Sequence, residues 1–322
     1  MSHRALITGI TGFAGSFLAE HLLASGDAVL GVSFDGRWTD ICPADLQRAV
    51  ALVAWNVADE IPADARRNID EFSPDVVYHL AAISVPGDCG DGEPTPNAMA
   101  INVDGTRRVL ELAAQLPRPP KVVFTSSSQV YSPTGGNWPR VDEDHPLAPR
   151  RAYGFTKLLA ENEVRRLVGE GRCQAVIARS FQHAGPRQND RMMLSQWARQ
   201  LAAGAGLVEV ITRDAMVDLT DVRDVVRAYR LLAQRGANGG IYNVGSGVGR
   251  RSGDILDVLC GMTRSDVKIV ELRPGFKQDP IADISRLARD TGWQPTIPLE
   301  QTVADTYHWW RDRHSQSRNQ GP

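Results

Sequence analysis

Tyr153 and Lys157 stand four residues apart in the run Tyr153-Gly154-Phe155-Thr156-Lys157. On a helix that spacing puts a phenol and an ammonium on one face, one turn apart. A free tyrosine titrates at about 10 and is a poor proton donor or acceptor at neutral pH. A nearby positive charge favours the phenolate and lowers that value. Such a pair can carry a proton to or from a carbonyl or hydroxyl oxygen. Upstream, Thr125-Ser126-Ser127-Ser128 closes an apolar run at 121–124, and one of these hydroxyls can hydrogen-bond and orient the same oxygen. His79 and His183 also fall near strand ends, where a histidine satisfied by its neighbours is the expected reading, and no metal is proposed.

A glycine loop says what the proton transfer accompanies. Thr8-Gly9-Ile10-Thr11-Gly12-Phe13-Ala14-Gly15 follows an apolar run at 5–8 and opens a helix marked by Phe17, Leu18, His21 and Leu22, with Gly26 as its stop. A phosphate needs free N–H donors at a helix N-terminus and close backbone approach, and a side chain at the turn would block that approach. The spacing is GxxGxxG, at a strand-to-helix junction, which is the signature of a dinucleotide pyrophosphate site. Tyr153 and Lys157 then point to proton transfer coupled to hydride exchange with a nicotinamide. At the end of the next strand a carboxylate selects NAD, and a basic or small residue admits the 2′-phosphate of NADP. Ser33 and Arg37 lean towards NADP and Asp35 towards NAD, so both cofactors stay open.

The elements that must position these groups are legible as a rhythm. Short apolar runs at 5–8, 28–32, 51–54, 76–80, 121–125 and 175–178 read as strands, with helices around 98–115 and 152–168. Strand, helix, strand in succession implies right-handed crossovers and a parallel sheet covered on both faces. The expected fold is α/β, a Rossmann-type doubly wound parallel sheet with a smaller mixed α/β C-terminal substrate domain. Ligands then sit beyond the C-terminal strand ends. Residues 1–178 and 215–245 are assigned to the dinucleotide-binding domain, 179–214 and 246–314 to the substrate domain, and 315–322 to a frayed polar tail. The segments 85–96 and 132–150 are rich in Gly, Pro and Asp, including Gly135, Gly136 and Pro139, and read as surface loops bordering the crevice.

Composition narrows the class. The chain has 322 residues, 42% apolar, with a formal net charge of -2, which gives no field favouring nucleic acid or an anionic membrane. Cys42, Cys89, Cys173 and Cys260 form no CxxC pair and read as scattered reduced thiols. The N-terminal apolar run is too short for a signal peptide, and no stretch approaches the roughly 20 apolar residues of a membrane span. The expected location is the cytoplasm. Lysine is scarce, at positions 121, 157, 268 and 277 among 36 basic residues, which makes Lys157 more informative. Trp309-Trp310 reads as packing of a C-terminal helix.

Over nearly its whole length the sequence resembles the extended short-chain dehydrogenase/reductase family, in its nucleotide-sugar branch. Residues 8–15 resemble that family's TGxxGxxG, His79-Leu80-Ala81-Ala82 its HLAA, and Asn102-Val103-Asp104-Gly105-Thr106 its NVxGT. Residues 126–131 resemble its SSSxVY, which assigns the catalytic hydroxyl to Ser127, and Tyr153 and Lys157 match its catalytic pair. The segments 181–186, 220–229 and Arg273-Pro274 look like its nucleotide-sugar members. The nearest likeness is to GDP-4-keto-6-deoxy-mannose reductases and GDP-mannose 4,6-dehydratases, through 218–229 and 291–299.

The resemblance implies cofactor contacts from Thr8, Gly9, Thr11, Gly12, Phe13, Ala14, Gly15, Ser33, Asp35, Arg37, Asn56, Val57, Leu80, Ala81, Ala82, Asn102, Thr125, Tyr153, Lys157 and Ser180. It implies substrate contacts from Ser84, Ser127, Ser128, Gln129, Gln182, His183, Arg187, Arg199, Arg213 and Arg273. The partner it implies is a nucleotide-diphosphate sugar, and the assembly a homodimer through the helices near 98–115 and 152–168. Related 4,6-dehydratases carry an acid where Gln129 stands, and glutamine cannot trade a proton, so dehydration is disfavoured. The family's Arg-Pro-Phe-Asn-His appears as Arg179-Ser180-Phe181-Gln182-His183. Its Val-Arg-Asp-Phe appears as Met216-Val217-Asp218-Leu219, which removes an arginine expected near the diphosphate. Arg187, Arg213 and Arg273 are the candidates to replace it, since a diphosphate favours guanidinium partners. The expected activity is NAD(P)H-dependent reduction of a nucleotide-linked 4-keto-6-deoxy sugar. An epimerase or 4,6-dehydratase that recycles its cofactor is the alternative, and a non-catalytic dinucleotide sensor comes third.

Overall fold

The computed structural model describes residues 2–134, 140–263 and 267–319. Its first half alternates β1 (Arg4–Thr8), α1 (Phe13–Ala24), β2 (Ala28–Ser33), α2 (Ala44–Ala49), β3 (Ala51–Ala54), α3 (Ala63–Phe72) and β4 (Val76–His79). Next come α4 (Pro96–Met99), a wide π turn (Ala100–Asp104), α5 (Gly105–Gln115) and β5 (Lys121–Ser127). The short β6 (Arg140–Val141) precedes α6 (Ala152–Gly169), β7 (Gln174–Ser180) and β8 (Gln182–Ala184). The remainder is α7 (Met193–Ala202), β9 (Leu207–Val210), β10 (Ala215–Asp221), α8 (Val222–Arg235), β11 (Ile241–Val244), β12 (Gly249–Arg251), α9 (Ser252–Cys260), β13 (Lys268–Glu271), β14 (Lys277–Gln278), β15 (Ile281–Ala282), α10 (Ser285–Thr291) and α11 (Leu299–Asn319).

Seven strands form one sheet in the order β11-β7-β5-β4-β1-β2-β3, every neighbouring pair parallel. Leu6, Val77, Val122, Phe124 and Ile177 face α3, α5 and α6, while Ala5, Ile7, Val123, Val176 and Val244 face α1 and α8. Both faces are therefore apolar, as a parallel sheet between two helical layers requires. The strand order reverses between β1 and β4, so a crevice opens beyond their C-terminal ends. A second core joins α7, α9 and α11 to β9 and β10.

Three expectations need correction. The stretch 215–221 was assigned to the larger domain, yet β10 pairs with β12, β14 and β8, and its Val217 and Leu219 belong to the second core. The larger sheet is rejoined only from α8 onward. The segment 132–150 is not a plain surface loop: β6 pairs with β15, and Val141 and Glu143 are buried. Gly135, Gly136 and Pro139 lie outside the described residues. The polar stretch from 315 continues as helix to Asn319, with 320–322 outside the described residues. Cys42, Cys89 and Cys173 are buried free thiols and Cys260 is half-buried. Among the described residues, no helix is long and apolar enough to cross a membrane, and no group of three His, Cys, Asp or Glu is placed to hold a metal ion.

Candidate active site

A cavity of about 1010 Å³ runs along the crevice from the end of β2 to β8. Its floor is the loop between β1 and α1, with Gly9, Thr11, Gly12, Phe13, Ala14 and Gly15 in the lining. Gly9 has a φ of +72°, and a Cβ there would stand 2.7 Å from the Ala81 backbone nitrogen. A Cβ on Gly15 would stand 2.2 Å from the Gly9 carbonyl oxygen. The turn therefore exists only with glycines. Gly12 caps α1 without a side-chain hydrogen bond, and no acidic residue occupies the first turn. The free N–H groups and positive end of α1 are thus left to an anion, which fits a dinucleotide pyrophosphate.

Ser33, Asn56, Val57, Leu80, Ala81, Ala82 and Ser180 also line the cavity, as the sequence implied. The Ser33 hydroxyl is buried with no partner in the protein, an orphan a ligand hydroxyl or phosphate can satisfy. Asp35 and Arg37 do not reach the lining: the Asp35 carboxylate accepts the Arg37 backbone N–H at 3.1 Å in an exposed turn, and Phe34 takes the place at the rim.

Thr8 and Asn102 are corrected from cofactor contacts to supports, since both are buried outside the lining. The Thr8 hydroxyl lies 2.7 Å from His79 Nδ1, and His79 Nε2 lies 3.0 Å from the Thr106 hydroxyl. Burial, then the Lys157 charge, lowers His79 to about 3, so its ring is neutral. Asn102 sits in the π turn, accepts the Ile83 N–H at 2.8 Å and donates to the Thr156 hydroxyl at 3.0 Å. It thereby ties the loop carrying Ser84 to the helix carrying Tyr153.

The three reacting side chains converge. Ser127 ends β5, and its hydroxyl accepts the Gln129 N–H at 3.2 Å. Lys157 is buried on α6, and its ammonium donates to the Thr125 carbonyl at 2.9 Å, 6.0 Å from the centre of the Tyr153 ring. Thr125, Ser127, Ser128, Gln129, Tyr153 and Lys157 all line the cavity. The expected lowering of the Tyr153 titration is corrected, however. Burial pushes the Tyr153 phenol well above its ordinary range, Cys89 and Tyr229 push the same way, and only a hydrogen bond with Ser127 opposes them. Burial lowers Lys157 to about 8, against the opposing pull of Cys89 and Glu161.

On the substrate side Ser84, Gln182 and His183 line the cavity. The His183 ring stacks on Phe13 at 5.8 Å and 8°, and the Gln182 amide donates to Asp279 at 2.8 Å. Of the candidate arginines only Arg187 reaches the lining. It lies 3.6 Å over the Phe17 ring and donates to both oxygens of Glu20 at 3.2 and 2.6 Å. Arg199 instead pairs with Asp190, Arg213 pairs with Asp257, and Arg273 is exposed away from the cavity. Trp310 does pack, donating to the Ser195 hydroxyl at 2.9 Å, yet Trp309, Trp310 and Arg313 also border the cavity. Arg313 pairs with Asp40 of the loop after β2, so α11 spans the mouth. The four-residue step from Trp309 to Arg313 was the available signal, but nothing local says what a helix end faces.

The family model for the NAD dependent epimerase/dehydratase family matches residues 5–245. The chain is 27% identical to a GDP-6-deoxy-D-mannose reductase of Pseudomonas aeruginosa, over 97% of this chain and 99% of that one. It is 30% identical to a UDP-glucose 4-epimerase of Mycolicibacterium smegmatis, over 96% and 99%. The fold superposes on the structure of RMD from Pseudomonas aeruginosa complexed with NADPH, with a TM-score of 0.78 and 24% identity over 97% and 100% of the two chains. With its glycine-lined cradle and its Ser–Tyr–Lys cluster at the strand ends, the chain belongs to the NAD dependent epimerase/dehydratase family and is an enzyme that uses NAD or NADP as cofactor.

Proposed function

We propose that this enzyme reduces the keto group of a nucleotide-diphosphate-linked 4-keto-6-deoxy sugar. The observation that carries the reading is the convergence of Ser127, Tyr153 and Lys157 on the wall of the cavity above the glycine loop, with the Lys157 ammonium fixed on the Thr125 carbonyl at 2.9 Å. A reductase needs an acid that arrives with its proton, and a tyrosine phenol carries one at neutral pH. A nicotinamide held in the cavity would supply a hydride for the carbonyl carbon. Tyr153 gives its proton to the carbonyl oxygen, and Ser127 holds that oxygen by a hydrogen bond. Lys157, fixed by the Thr125 carbonyl, would hold the ribose of a bound cofactor and keeps a positive charge beside the phenol as its proton leaves. The N-terminus of α1 would hold the pyrophosphate, and Arg187 is the candidate for the sugar-nucleotide diphosphate. The name of the Pseudomonas reductase supports the substrate class. So does Gln129, which offers no acid for removing water.

Epimerisation is the second reading, supported by the 30% identity to a UDP-glucose 4-epimerase. The two separate in one assay. Absorbance follows NADPH or NADH with a panel of nucleotide-linked 4-keto sugars, beside a Tyr153→Phe variant. Stoichiometric cofactor oxidation that the variant loses is expected. Sugar interconversion without net oxidation favours the epimerase, and wild-type turnover in the variant removes Tyr153 from the chemistry. A homodimer belongs to the same proposal: Phe155 and Leu159 on α6 are 42% and 39% exposed, one turn apart on a face a second copy can cover.

A further inference from the structure

Glu161 lies fully buried on α6, one turn beyond Lys157, and no part of the proposed chemistry calls on it. Its carboxylate accepts the Ser126 hydroxyl at 2.6 Å, from the residue beside Ser127 on β5. It accepts two bonds from the buried Arg179 of β7, at 2.9 and 2.8 Å, and one from Arg165 at 2.7 Å. Arg179 in turn donates to the Glu143 carbonyl at 3.0 Å and lies 4.9 Å over the Tyr131 ring. Ser126 and Arg179 are register partners, and so are Ser127 and Ser180 one step on. One carboxylate thus joins the ends of β5 and β7 to the helix that carries Tyr153 and Lys157.

We infer that Glu161 is a positioning residue for the reduction: it clamps the ends of β5 and β7 onto α6 and so fixes the Ser127 hydroxyl against the Tyr153 phenol, with its charge one turn from the Lys157 ammonium. This rests on the Ser127, Tyr153 and Lys157 roles proposed above. A purely structural pair is poorly explained by the geometry, since a buried ion pair often adds little net stability over packed apolar residues. The clamp acts where precision matters, because a misplacement of about 1 Å can cost on the order of a hundredfold in rate. Lys157 feels the carboxylate. The groups facing the ammonium are Cys89 from the loop after β4, His79 from β4, the Thr125 carbonyl from β5, and Tyr153 and Glu161 from α6. Among these, the Glu161 carboxylate holds the Lys157 proton against the effect of burial.

The test compares wild type, Glu161→Gln/Arg179→Met, which leaves no lone buried charge, and Ser126→Ala, which removes one hydrogen bond. Only four lysines are present, so Lys157 can be followed by ¹³C NMR of labelled lysine. In the double variant, which removes the carboxylate facing the ammonium, we expect the Lys157 titration, and the alkaline limb of kcat, to move down. We expect kcat to fall by about tenfold or more while KM and the cofactor Kd change by less than about twofold. A folded double variant with an unmoved lysine titration and wild-type kcat overturns the inference. Should the double variant not fold, Ser126→Ala decides: kcat lowered about threefold or more at constant Kd supports the clamp, and unchanged kcat refutes it. Tyr153→Phe runs alongside. Full activity there refutes the reading of the site itself, whereas an inactive Tyr153→Phe beside unaffected clamp variants refutes only the clamp.

Discussion

A Cβ on Gly154 would stand 2.3 Å from the Gln129 carbonyl oxygen, so α6 and the turn after Ser127 meet backbone against backbone. That closeness is what lets a phenol on the helix reach a hydroxyl on the strand end. Gly154→Ala should push α6 outward, cost about 1–3 kcal/mol of stability as overpacking does, and lower kcat more than it raises KM. Thermal unfolding and steady-state kinetics check both halves. A variant of wild-type stability and kcat would show that the contact does not set the site.

Tyr153→Phe keeps the ring and removes the acid. We expect kcat/KM to fall by about 10²- to 10⁴-fold, with cofactor binding by fluorescence titration unchanged. Equal losses in binding and turnover would assign the phenol to anchoring instead.

Lys157 yields a prediction whose sign follows from burial. Its folded value, lowered to about 8, lies below the ordinary 10.5 of a free lysine. Below about 8 both folded and unfolded chains are protonated, and the folded state carries the whole desolvation penalty. The penalty fades as pH rises from about 8 to 10.5 and is gone above that. Lys157→Met should therefore be inactive yet unfold at a higher Tm than wild type at pH 7 (a near-neutral pH below both values), with the gap closing in strongly alkaline buffer. A variant less stable than wild type at neutral pH would mean that the bond to Thr125 outweighs desolvation.

Ser33 sits in the cavity wall where Asp35 does not. Ser33→Asp should weaken NADPH binding by about tenfold or more through repulsion of the 2′-phosphate, and spare NADH. Parallel Kd measurements with the two cofactors check it. Equal weakening of both would place the adenosine ribose elsewhere.

Six of the sheet's seven strands were legible because their physics is local: apolar runs of strand length separated by helices admit few arrangements, while the edge strand β11 was not read as one. The glycine loop and the Ser127, Tyr153 and Lys157 cluster were legible for the same reason, each being a short motif at a strand or helix end. What escaped depended on distant partners. Thr8 and Asn102 carry the motif of a contact but spend their hydrogen bonds on His79 and Ile83. Arg199 and Arg213 are drawn off by Asp190 and Asp257. Glu161 gave no signal, since only folding reveals that it meets Ser126 and Arg179. The expected lowering of the Tyr153 titration failed because burial, which a sequence does not display, pushes the phenol up.

The most direct test of the account follows the hydride itself. NADPH and NADH carrying deuterium at C4 of the nicotinamide, each face in turn, are incubated with a nucleotide-linked 4-keto-6-deoxy sugar and the product is read by NMR. Deuterium from one face should appear at the former carbonyl carbon in proportion to cofactor oxidised. Reduced sugar without deuterium from either face, or altered sugar with the cofactor still reduced, would contradict it.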